Sequence, residues 1–282
     1  MKALKRKIVV DSSADPAAWA GAEIGCASLK IITAEKEYVD DANLNIQAMV
    51  EELADYNGKS STACPGMEDW ESTFGDADEV FCVAITSGLS GSYNAARLAG
   101  KDYMAHHPEC KVLVVDSLSA GPELRLIVEK LQELILADKS FEEIEQEIAR
   151  YQQQTGLLFM LESMKNLANN GRVSPLVAKL AGLLGIRVVG KASDQGTLEP
   201  MEKPRGSGKA LASLMAQLKE LGYNGGKAHI AHCFNERVAA ELKELIALAF
   251  PTCVVSIYPL GGLCSFYAEK GGLLIGFEKQ AI

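Results

Sequence analysis

A chain of 282 residues, 48% hydrophobic and 23% charged, holds enough apolar material for a large core and has the composition of an ordinary globular protein of two lobes. Its formal net charge of −9 argues against nucleic acid or an anionic membrane surface as the main partner. No apolar run approaches the roughly 20 residues of a membrane-spanning helix, and Ile8-Val9-Val10, stopped by Asp11, is too short for a signal-peptide core.

Residues 7–10 predict a short buried strand, closed by Asp11-Ser12-Ser13-Ala14-Asp15-Pro16. Polar residues just past a strand's carboxyl end either line the crevice of an open α/β sheet or cap the next helix, and both readings stand at this point. A second strand is expected over residues 27–32. Asp40-Asp41-Ala42-Asn43 then caps a helix running to about residue 56, with Ile46, Met49, Val50 and Leu53 on one face. Residues 59–66 read as a polar loop before a short helix near 68–74.

Phe81-Cys82-Val83-Ala84-Ile85 reads as a buried strand, and a helix begins near Tyr93. Between them, the seven residues from Thr86 to Ser92 include four hydroxyls and two glycines. A strand feeding a Ser/Gly loop that opens a helix turns unpaired N–H groups and the positive end of a helix dipole toward one point. Such a point suits an anion. One serine suffices to cap a helix, so four hydroxyls favour binding over capping. A strand over 111–115 and helices over 122–136 and 140–154 follow, the last opened by a Ser140/Glu143 capping box. This alternation predicts a doubly wound, mostly parallel sheet in residues 1–156.

From residue 157 the pattern becomes that of an α+β lobe, 157–282. A strand over 157–161 and a short helix over 163–168 lead to Asn169-Asn170-Gly171, and Ser174-Pro175 opens another helix. Asp194-Gln195-Gly196 suits the turn of a hairpin between strands 186–191 and 197–202. An amphipathic helix over 207–221 precedes a strand (227–233), a helix (236–249) and a strand (253–258). A glycine-rich tail, 259–272, leads into a last strand over 273–277.

Several apparent signals fail on inspection. Gly206-Ser207-Gly208-Lys209 lacks the first glycine and the final Ser/Thr of a P-loop, because Lys203 and Ala210 occupy those places. Gly88-Leu89-Ser90-Gly91-Ser92 misses the closing glycine of a nucleophile elbow. His229 and His232 point to opposite faces of a strand, and His106-His107 sit at a helix end, so neither pair suits a shared metal. Seven cysteines, an odd number with no C-x-x-C pair, read as reduced thiols in a cytoplasmic protein.

Taken in order, several motifs resemble the DegV family, fatty-acid-binding proteins that serve as the lipid-carrying subunit of bacterial fatty acid kinase. They are Val10-Asp11-Ser12-Ser13-Ala14-Asp15, Thr62-Ala63-Cys64-Pro65, Ser87-Gly88-Leu89-Ser90-Gly91-Ser92-Tyr93, Asp116-Ser117, Gly171-Arg172-Val173-Ser174 and Lys203-Pro204-Arg205-Gly206. The resemblance implies the two-lobed DegV-like (EDD) fold, with an acyl chain buried between or within the lobes and its carboxylate at the central loop. Carried over, Thr62 and Ser90 donate hydroxyl hydrogen bonds to the carboxylate, with Ser87 and the Gly91 N–H beside them. Arg172 helps position the head group, and Arg205 falls where the family docks its kinase. The implied partners are a long-chain fatty acid and a separate kinase catalytic subunit that brings ATP. The chain itself then needs no cofactor, no metal and no catalytic residue.

Two positions depart from the family pattern. Tyr267 stands where the family has a histidine near the head group, and Ala63 replaces the serine of its T-S-x-P loop. A tyrosine still donates a hydrogen bond but carries no positive charge. Two other readings are therefore weighed: a serine-dependent acyl or phosphoryl transfer enzyme with Ser90 as nucleophile, and a sensor of a small carboxylate.

Overall fold

The computed structural model describes residues 4–16, 24–176 and 185–279. The chain begins with β1 (Arg6–Asp11), β2 (Ile24–Ala27), β3 (Lys30–Ile32), β4 (Glu37–Val39), α1 (Ile46–Asp55), β5 (Ser61–Ala63) and α2 (Met67–Glu71). It continues through β6 (Glu79–Ala84), α3 (Ser92–His106), β7 (Lys111–Asp116), α4 (Pro122–Leu136) and α5 (Phe141–Gln152). Next come β8 (Thr155–Leu161), α6 (Lys165–Asn169), β9 (Val188–Ala192), β10 (Leu198–Glu202) and α7 (Ser207–Glu220). Then follow β11 (Lys227–His232), α8 (Glu236–Ala249), β12 (Val254–Pro259), α9 (Gly262–Ala268) and β13 (Leu273–Glu278).

β2, β1, β6 and β7 lie side by side in that order, all parallel. Every residue of the central strand β6 is buried, as a strand covered on both faces requires. One face packs on α4 and α5 through Val10, Phe81, Val83, Leu124, Ile127 and Ile144. The other packs on α2 and α3 through Val9, Cys82, Trp70, Phe74, Ala96 and Tyr103. The doubly wound expectation holds.

The second sheet runs β10-β9-β8-β13-β11-β12. β11 and β12 are parallel, and the other neighbours are antiparallel. Strand side chains alternate faces, so β8 sends Leu158 and Met160 outward against α7 and α8. Leu157, Phe159 and Leu161 face the other way, beside Leu274 of β13. Helix α4 lies between the sheets, touching β1 and β6 on one side and β8, β11 and β13 on the other. A third, antiparallel sheet, β4-β3-β5, packs on α1 and α9 around Ile31, Tyr38, Met49 and Phe266.

The structure corrects the sequence reading in four places. The single strand over 27–32 is two strands in different sheets; the chain turns at Ser28-Leu29, where the Leu29 N–H donates to Ser12 Oγ at 3.0 Å. The polar loop over 59–66 contains β5, paired antiparallel to β3. Helix α1 is capped by Asn45, whose side chain accepts the Ala48 N–H, because Asp40 is turned inward to other partners. The glycine-rich tail contains α9. Pro175 and Leu176 are helical as the serine-proline signature predicts, and the rest of that expected helix lies outside the described residues. Among the described residues, no helix is long and apolar enough to cross a membrane.

Candidate functional site

The motif at the end of β1 works as a tie. Asp11 is fully buried, and its carboxylate accepts from the Ser13 N–H (3.2 Å), the Ser13 hydroxyl (2.5 Å), the Ile85 N–H (2.9 Å) and the Ser92 hydroxyl (2.7 Å). Burial pushes its carboxyl up, and these four bonds oppose that shift. The last two fasten both ends of the central loop to β1. Within the loop, the Leu89 and Ser90 N–H groups both donate to Thr86 O at 3.2 Å, and the Ser92 N–H donates to Ser90 Oγ at 3.2 Å. Ser90 thus uses its oxygen as acceptor and keeps its hydroxyl proton for another partner.

A second clamp holds the loop from the other sheet. The turn between β9 and β10 presses on it so closely that a Cβ on Gly88 would stand 2.8 Å from Gln195 O. Gly196, at φ +71°, sits against the Thr86 side chain and has no room for a Cβ either.

Beside the loop lies a predominantly apolar cavity of about 80 Å³. Its walls are Leu29, Ile85 and Leu89 from the first part, and Leu157, Phe159 and Leu161 of β8, Leu198, Leu263, Ala268 and Leu274 from the second. Its polar lining is Thr62, Ser90, Arg172 and Tyr267, joined by the buried Cys264 thiol.

Thr62 Oγ1 and the Tyr267 hydroxyl are 2.7 Å apart. Two hydroxyls that share one bond leave one proton over, so the pair donates outward whichever way it is arranged. Burial raises the Tyr267 pKa, against the opposing pull of Thr62 and Arg172, so the phenol stays neutral. The Arg172 guanidinium lies 5.8 Å from the Tyr267 ring centre and donates to Leu89 O (3.3 Å) and Asn170 O (2.5 Å). Among the described residues, no carboxylate pairs with it. A half-buried guanidinium whose hydrogen-bond partners among the described residues are carbonyls, next to outward hydroxyl donors, is chemically suited to an anionic group at the end of an apolar chain.

Of the residues singled out in the sequence, Thr62, Ser90, Arg172 and Tyr267 meet at this cavity. Ser87 and Gly91 lie exposed on the rim of the loop, Ser87 donating its N–H to Asp116 Oδ1 at 3.0 Å. Arg205 is exposed elsewhere, bridged to Ile186 just before α7. The apolar walls carry no motif: Leu157-Leu158-Phe159-Met160-Leu161 is a continuous apolar run, so nothing in the sequence separates the lining face of Leu157, Phe159 and Leu161 from the opposite one. His229 and His232 take separate partners, Nδ1 of His229 lying 2.5 Å from Ser256 Oγ and Nδ1 of His232 3.4 Å from the Asn235 N–H.

A family model described as the DegV family matches residues 5–280. A DegV domain-containing protein of Streptococcus pneumoniae is 44% identical over 276 residues, covering 96% of this chain and 98% of the relative. Among solved structures, a DegV family protein from Eubacterium eligens loaded with heptadecanoic acid superposes with a TM-score of 0.95 at 45% identity, covering 98% of this chain and all of that one. The Fatty Acid Kinase (Fak) B3 protein of Streptococcus pneumoniae, loaded with linoleic acid, gives 0.96 at 43% identity with coverage of 98% and 100%. Over its whole described length, in sequence and in architecture, the chain belongs to the DegV family.

Proposed function

We propose that the protein binds one long-chain fatty acid, with its carboxylate at Thr62, Ser90, Arg172 and Tyr267 and its acyl chain along the apolar cavity. The carrying observation is the cavity itself: apolar walls from the second large sheet and from the loops at Leu29, Ile85 and Leu89, ending at outward hydroxyl donors and at a guanidinium that has no carboxylate partner among the described residues. Each buried CH₂ contributes about 0.8 kcal/mol, and each hydrogen bond to the charged head roughly 1.5–3 kcal/mol. The tail therefore supplies most of the affinity and the head group sets the orientation. In this arrangement residues 1–156 supply the head-group loops and 157–282 most of the cover.

The chain presents this carboxylate, in the cytoplasm, to the catalytic subunit of a fatty acid kinase. Support comes from the Fak B3 neighbour and from the exposed rim at Ser87 and Gly91, which lets a phosphoryl donor on a second protein reach the head group. Arg205 docks that partner. The chain is a carrier and not itself a catalyst: the Ser90 hydroxyl has no histidine or carboxylate as hydrogen-bond partner among the described residues, so nothing there activates it. A small-carboxylate sensor would leave most of the apolar cavity unfilled.

Native mass spectrometry of the purified protein, followed by organic extraction, tests the ligand class. A fatty acid at near one equivalent is the expected result, and Ser90→Ala should retain less of it at an unchanged melting temperature. Protein that arrives empty and takes up no added fatty acid sinks the proposal.

A further inference from the structure

Helix α9 forms one wall of the cavity, to which it contributes Leu263, Cys264, Tyr267 and Ala268. It has only seven residues, too few to hold its own position by helical hydrogen bonds alone. The amides at its start are taken by carboxylates more than two hundred residues away. The Gly261 N–H donates to Asp15 Oδ1 at 2.8 Å. The Gly262 and Leu263 N–H groups donate to Asp40 Oδ1 and Oδ2 at 2.8 and 2.9 Å. Both carboxylates are buried, at 2% and 6% exposure.

The two glycines are what let the carboxylates sit so close. A Cβ on Gly261 would lie 2.5 Å from Asp15 Oδ1, and one on Gly262 would lie 2.5 Å from Asp40 Oδ1. Further along, Phe266 O accepts from the Asn166 side-chain amide at 2.8 Å, and the Glu269 carboxylate accepts the Asn166 N–H at 3.0 Å. Tyr267 sits between these anchors, one residue beyond Phe266.

We propose that Asp15 and Asp40 are positioning residues of the lipid site: by gripping the first amides of α9 they hold the Tyr267 hydroxyl where it meets Thr62 and the ligand's head group. The proposal rests on the fatty-acid reading above and assigns these acids no contact with the ligand. It also gives the Gly261-Gly262 pair its purpose. Asparagine at position 40 keeps the shape and one acceptor oxygen but turns an NH₂ toward an amide that needs an acceptor. The helix start then shifts, and the hydroxyl pair at its other end loses its spacing.

The test compares heptadecanoic acid with its methyl ester, which keeps the tail and removes the charge. Dissociation constants for both are measured on wild type, Asp40→Asn, Tyr267→Phe and the double variant. The wild type should prefer the acid. Asp40→Asn should lower that preference about tenfold or more, and in the Tyr267→Phe background it should lower it no further. A merely structural role would weaken acid and ester alike. An unchanged preference in Asp40→Asn, or a loss that adds fully to that of Tyr267→Phe, overturns the clasp while leaving the fatty-acid reading intact. A wild type that binds neither compound removes that reading and the clasp with it. Should Asp40→Asn not fold, Asp15→Asn, which disturbs a single amide, carries the same comparison.

Discussion

Thr62 and Tyr267 share one hydrogen bond and so offer the cavity a single outward proton donor. In a site built on histidine, the head group would meet a residue able to carry charge; here Arg172 is the cation lining the cavity among the described residues, and the phenol stays neutral because burial raises its pKa. In the proposed site, Thr62→Val breaks the bond to Tyr267 and removes one of the hydroxyls held for the carboxylate. Affinity for a long-chain fatty acid should fall roughly tenfold to a hundredfold, with little change in binding of the methyl ester. A competition titration with both ligands reads this, and equal losses for the two would mean that Thr62 only packs. Thr62 and Arg172 were legible because each sits in a short local motif, whereas Tyr267 was legible only as the residue that departs from one. Asp11 was legible only as a polar residue at a strand end. Its role as a tie depends on Ile85 and Ser92, 74 and 81 residues away, and no local pattern announces such partners.

At the scale of the elements, local signals decided what could be read. Helix α5 begins where Ser140 accepts the Glu143 N–H and Glu143 returns a bond to the Ser140 N–H, a reciprocal cap written within four residues. Ser140→Ala should cost about 1 kcal/mol, visible as a lower urea midpoint at an unchanged slope. A change in slope would mean that the variant alters more than the cap. Helices α4 and α8 were equally plain, with proline at the start of one and a regular apolar stripe along the other. The elements that escaped are those made by partners distant in sequence. β5 exists because β3 offers it an edge, and α9 starts at Gly261-Gly262, glycines that read as a loop, with Asp15 and Asp40 taking its first amides. The division of 27–32 into β2 and β3 has the same origin, since the turn is held by the Ser12 hydroxyl.

Across the whole molecule, α4 ties the two large sheets together, and its polar seam sets how stability answers to pH. Glu129 on α4 lies 3.1 Å from His229 Nε2 on β11, 3.1 Å from Arg125 Nε and 3.7 Å from Lys227 Nζ. Burial pushes its carboxyl up, but the hydrogen bonds and charges of His229 and Arg125 outweigh burial and bring it down to about 2 from an ordinary 4.5. A carboxyl lowered by folding stabilises the protein above its unfolded value, and that contribution is lost as pH falls from about 4.5 through about 2. Its size is on the order of 2–3 kcal/mol. The buried carboxyls of Asp11, Asp15, Asp40 and Glu123 act with the opposite sign. Burial raises them, so their contribution is complete below the ordinary carboxylate values and fades as pH climbs through the raised ones. A bare pH–stability curve mixes the two. The difference between wild type and Glu129→Gln separates them, because the other four carboxyls are common to both proteins. Urea unfolding should show the wild type ahead by that margin near pH 7, with the gap closing as pH approaches 2. A gap that persists at pH 2 would mean that Glu129 joins α4 to the second sheet by packing, with its charge immaterial.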